Sequence, residues 1–229
     1  MDKREKIQRI VSVAALGQGV WSLLIMRNSQ FWHRAYMHSI GTALQRAIQI
    51  GRESAIGIFN NSGSCVPSEL AVSLGYHLQK ADIEWVQESF VAGTFTEPDT
   101  ITVSSQVEEV LLSQWEFYQL TKNLGVIDFK EVIVAHELFH ALEHRNAECR
   151  VSGIPLQIKG MWRKKTVYPK SVLSEIAAFS FARAFLHMEV SPNVLTLLLL
   201  DTISEAAAEK QLTELESISN DHEEAGYEV

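Results

Sequence analysis

The chain predicts an α+β fold, mostly helical, with a small antiparallel or mixed sheet packed on one central helix. Three observations carry this expectation. Apolar residues recur at three- and four-residue intervals through most of the 229 positions. A β-prone interval lies between 83 and 104. The stretch AHELFHALEH at 135–144 follows the apolar VIV and reads as a helix with a buried face.

Taken in order, residues 5–59 read as helical, and NNSGSCVPSE at 60–69 ends that region with clustered Asn, Ser, Gly and Pro. Pro67 opens a short helix that stops near Gly75. IEWVQ, SFVAGTFT and TITVS then read as short strands, with a turn at Glu97-Pro98-Asp99. Helical pattern returns over 105–123, stops near Gly125, and resumes at Asp128, where DFKE resembles an N-capping arrangement. The connection 146–170 holds Gly153, Pro155, Gly160 and Pro169 and is expected to be largely loop. A helix from about Ser171 to Pro192 and a last one over 193–215 complete the pattern, ahead of an acidic end expected to fray. These elements divide into a helical N-terminal region (1–64), a catalytic core (65–190), and a C-terminal helix with its tail (191–229), together forming one compact domain.

A net charge of −8 argues against nucleic acid as a partner, because phosphate binding depends on an excess of Lys and Arg. Cys65 and Cys149 lie far apart without CxxC spacing, which fits a reducing, cytoplasmic setting and no sulfur-bound metal. The uncharged run Ile10–Met26 has the outline of a membrane anchor, and anchoring through it is the minor alternative. Gly17-Gln18-Gly19 interrupts the run, and its length is at the short limit for a bilayer, so a buried or peripheral helix is expected.

On a helix, His136 and His140 project from one face a turn apart, where both imidazoles reach one zinc ion. Glu137 stands beside the first of them, where a general base can take a proton from a water attacking a carbonyl. A catalytic zinc site needs a third protein ligand, and Glu175, 35 residues after His140 at the start of a helix, is the leading candidate; Asp201 and Glu189 lack comparable context. His144 is not that ligand, since three histidines on one straight helix span about 12 Å along its axis. His144 and Tyr168 are candidates for the cleft or for bonds to the ligands. Tyr168, His187 and Arg183 carry the chemistry to stabilise an oxyanion, with nothing to fix their geometry. Glu143 reads as solvated. The basic cluster Trp162-Arg163-Lys164-Lys165 reads as a solvated loop, and the strand ITVS as an edge to which an extended peptide could add.

Over roughly 69–187 the chain resembles the ImmA/IrrE-type zinc metallopeptidases, HExxH proteins with a glutamate third ligand. The resemblance rests on ELAVSLG, TEPDTITVS, VIVAHELFHALEH and EIAAFSFARAFL. His136, Glu137, His140 and His144 match the family's HELGHALLH, and Glu175, Ala178, Phe181 and Ala182 match its later segment. The resemblance implies a zincin fold and peptide-bond hydrolysis. Phe139 stands where the family has Gly, Phe179 where it has Asn or Asp to orient a ligand histidine, and the helix at 105–123 is additional. Two readings follow: a zinc metallopeptidase acting on a peptide or protein, or a zincin-like peptide-binding or regulatory module with structural zinc and little or no hydrolysis.

Overall fold

The computed structural model describes residues 2–62, 66–82, 92–161 and 163–225, and its architecture is α+β. The expected strand IEWVQ, the start of SFVAGTFT, and Trp162 lie outside the described residues.

The N-terminal region is helical as its periodicity requires. α1 (Lys3–Ala14) and α2 (Gln18–Arg27) meet at 101°, so the apolar run is broken where its glycines begin. Ile10, Val13, Trp21, Leu24 and Met26 all enter the core. No single helix among the described residues is long and apolar enough to cross a membrane.

α3 (Met37–Ser62) buries Ala43, Ala47, Gly51 and Ala55, a row of small residues at four-residue spacing. That row lets α8 (Lys170–Phe185) approach closely, and Ser180 Oγ donates to the Ile48 carbonyl at 2.9 Å across the crossing. A Cβ on Gly51 would lie 2.2 Å from the Ala177 carbonyl oxygen. Alanine improves helix propensity by about 1 kcal/mol, but overpacking against backbone costs about 1–3 kcal/mol and here has no side chain to yield. Gly51→Ala is therefore expected to lower stability by about 2 kcal/mol, read as a lower urea midpoint at unchanged slope. An unchanged midpoint would mean the two helices separate freely.

The sheet is mixed. β1 (His77–Ala81) pairs parallel with β3 (Thr100–Ser104), and β2 (Gly93–Thr96) pairs antiparallel on the other side of β3. The strand ITVS is thus central, not an edge, because both its sides are occupied; among the described residues the free edge near the cleft is that of β2. The helix expected over 105–123 forms as α5 (Ser105–Phe117) and α6 (Thr121–Leu124), and Gly125 follows at φ 80°.

α7 (Phe129–Arg145) carries the histidines and is buried between the sheet, α8 and α4 (Pro67–Ser73). Asp128 caps it, its carboxylate accepting from the Glu131 N–H at 3.1 Å. Glu131 turns elsewhere: its carboxylate accepts from the Ser68 N–H at 2.8 Å, capping α4.

Two expectations are corrected. The connection 146–170 contains a hairpin, β4 (Leu156–Lys159) with β5 (Lys164–Val167), closed at Gly160, where a Cβ would lie 2.4 Å from the Arg163 carbonyl oxygen. The glycine that signalled a loop makes the turn. The last helix is two, α9 (Asn193–Ile203) and α10 (Glu205–Ala225), and α10 runs on into the acidic end because Ala208, Leu212, Leu215 and Ile218 continue its buried stripe.

Candidate metal centre

α7 and α8 pack side by side, and that packing brings His136, His140 and Glu175 together. The two Nε2 atoms are 3.2 Å apart, Glu175 Oε2 is 3.2 Å from His136 Nε2, and Glu175 Oε1 is 3.4 Å from His140 Nε2. Three donors on zinc, each about 2.0–2.1 Å from the ion at tetrahedral angles, stand about 3.3–3.4 Å from one another. The Nε2–Nε2 contact and the two contacts to separate Glu175 oxygens are of that length, and two imidazoles with one carboxylate suit zinc chemically, so the cluster could hold such an ion.

Electrostatics favour an ionised third donor. Burial alone would raise the Glu175 carboxyl, but the hydrogen bonds and charges of His136 and His140 outweigh it and hold the group well below the usual carboxylate range. His140 shifts upward: burial opposes its charge, and Glu175, Glu137 and Glu143 overcome that opposition. Metal uptake must therefore displace a more firmly held proton from His140.

Glu137 is 8% exposed and lies against β2. Its approach is allowed by Gly93, where a Cβ would meet Ile133 Cγ2 at 2.7 Å and Glu137 Cγ at 2.9 Å. The Ser104 N–H donates to the Ala92 carbonyl, so by ladder alternation Gly93 and Phe95 turn their backbone groups away from β3. The Phe95 backbone amide favours the ionised form of the Glu137 carboxylate. Burial pushes the Glu137 carboxyl above its ordinary range, against the pull of the two histidines.

The site opens on a cleft of about 1020 Å³. Ile25 from α2, Leu111 from α5, and Leu195 and Leu199 from α9 form apolar wall, so the N-terminal segment helps to build it. His144 lines the cleft too; its Nδ1 is 3.1 Å from Glu97 Oε1 and its ring faces Phe95.

Other candidates stand elsewhere. Tyr168 is 59% exposed and does not line the cleft. Asp201 is engaged by Lys6 Nζ at 2.6 Å and by the Tyr118 hydroxyl at 2.5 Å, far from donor duty, and Glu189 is exposed beyond α8. Arg183 donates to the Met188 and Glu189 carbonyls, and His187 packs edge-on to Phe59, both at the far end of α8. Phe139, where the resembled family has Gly, is fully buried against Phe181 and is a packing residue.

Glu143 is not solvated. It is 6% exposed and accepts from Ser174 Oγ at 2.5 Å and from the Val151 N–H at 3.2 Å; Ser174 Oγ is in turn 3.0 Å from His140 Nδ1. Its place three residues after His140 puts it near the histidine face, but only the tertiary contacts with Ser174 and Val151 bury it. The histidines are unequally supported, for His136 Nδ1 is buried without a partner and its ring meets the edge of Phe179, centroids 4.5 Å apart. An acceptor at 179 would serve that nitrogen. Phe179→Asp is expected to tighten zinc binding about 10- to 100-fold, measured by competition with a chromophoric chelator; no gain would show that ring packing alone orients His136.

No family model, curated protein or solved structure matches this chain.

Proposed function

We propose that the chain is a zinc-dependent metallopeptidase of the zincin type, as its resemblance to the ImmA/IrrE-type enzymes implies. The observation that carries the reading is the closure of Glu175 on both histidines of a helix whose next carboxylate, Glu137, is buried at the same cleft. In this reading His136, His140 and Glu175 would hold the metal, three protein donors being the number a catalytic zinc site uses. Zinc bound there supplies Lewis acidity toward the scissile carbonyl and toward water. Glu137 takes the proton of the attacking water, and its raised pKa brings it nearer to neutrality, where a general base is most effective. The free edge of β2 offers backbone groups to an extended peptide, and the apolar wall excludes water around the reacting groups.

The test is direct. Protein purified without added zinc should contain about one zinc per chain, and its hydrolysis of an unstructured protein should cease with chelator and return with zinc. Zinc binding without hydrolysis of any peptide in a diverse library would instead support the module with structural zinc, a reading favoured by the unpartnered Nδ1 of His136 beside Phe179.

A further inference from the structure

We infer that Glu143 and Ser174 are positioning residues that set the tautomer and orientation of His140; the inference rests on the metal reading above.

The deduction is a count of protons. An ionised carboxylate only accepts hydrogen bonds, and Glu143 already receives one from the Val151 N–H on Oε1. Its Oε2, at 2.5 Å from Ser174 Oγ, can be served only by the hydroxyl proton. A hydroxyl has one proton, so Ser174 Oγ has only lone pairs left for His140 Nδ1 at 3.0 Å. That contact is a hydrogen bond only if Nδ1 carries the ring proton. With the ring neutral, as metal binding requires, Nε2 then presents its lone pair, and Nε2 is the atom facing His136 and Glu175. Both Glu143 and Ser174 are largely buried, at 6% and 7% exposure, where they border the cleft. The chain of bonds has a direction, set at its far end by a backbone N–H that cannot rotate away.

Glutamine at 143 reverses that direction. Its carbonyl oxygen keeps the bond from Val151, which places the amide NH₂ against Ser174; the hydroxyl becomes the acceptor there and turns its own proton toward His140 Nδ1. The ring is then driven to carry its proton on Nε2, the nitrogen the metal needs. Ser174→Ala breaks the chain without reversing it, and Ser174→Thr keeps the hydroxyl.

Zinc affinity is measured by chelator competition on the full chain, together with the His140 Nδ1–H resonance of the zinc-loaded protein in imidazole ¹⁵N–¹H spectra. Glu143→Gln and Ser174→Ala are each expected to weaken zinc binding about 10- to 100-fold and to lose or shift that resonance. Ser174→Thr is expected to retain both properties. The double variant should be little weaker than the worse single one, because both act through one chain of bonds. Glu131→Gln on the same helix, which disturbs the cap of α4 and the pair with Lys130, should leave zinc affinity unchanged. Wild-type affinity and an unshifted resonance in Glu143→Gln and Ser174→Ala overturn the inference, as does an equal loss in Glu131→Gln. A wild-type protein without zinc affinity overturns the metal reading itself, separately from any difference among the variants.

Discussion

Glu137→Gln is expected to keep zinc at wild-type stoichiometry while peptide hydrolysis falls by about two to four orders of magnitude, the usual contribution of a positioned general base. The substitution preserves shape and leaves an oxygen for the Phe95 backbone amide, so β2 should stay on α7. It removes only the capacity to take a proton. Glu137 belongs to neither side of the donor triangle, and metal content is therefore the control that separates lost chemistry from lost structure. Metal analysis and initial rates on one preparation decide the matter. A variant with full zinc and full activity would remove Glu137 from the mechanism.

Glu175→Ala is expected to release the metal. Zinc held by protein sites is worth about 10–16 kcal/mol, so one donor of three accounts for about 3–5 kcal/mol, or about 10²- to 10⁴-fold in affinity. The corresponding changes at Asp201 and Glu189 should leave zinc in place, because Asp201 is committed to Lys6 and Tyr118 and Glu189 is exposed beyond α8. Asp201→Ala should instead cost stability by removing the buried one of the two carboxylates that hold Lys6, leaving it only the exposed Glu205. Chelator competition on Glu175→Ala that returned the wild-type constant would exclude this carboxylate as a ligand.

The clustering of His136, His140 and Glu175 was legible because its geometry is local twice over. Four-residue spacing places His136 and His140 on one helical face whatever surrounds them, and a carboxylate opening the next long helix needs only that the two helices lie side by side. The supporting residues were not legible. Glu143 on an isolated helix is an ordinary solvated acid; it is buried because Ser174 of α8 and the Val151 N–H converge on it, and no periodicity encodes convergence. The strand ITVS read as an edge because edge or centre is a matter of pairing partners, which lie at residues 77–81 and 93–96. Helix content in the N-terminal region followed from apolar spacing, but its use as a wall of the cleft depends on α2 reaching across the fold to place Ile25. The hairpin at 156–167 was hidden by its own punctuation, since Gly160 marks a break equally well in a loop and in a tight turn.

The lock between Lys6 and Asp201 has a consequence for how the chain is made. Its partners are 195 positions apart, so a ribosome must make all the chain between them before α1 can find its anion. The wall that α2 and α9 share across the cleft waits on the same event. A nascent chain halted before α9 would therefore carry the histidines of α7 without the wall that Leu195 and Leu199 supply.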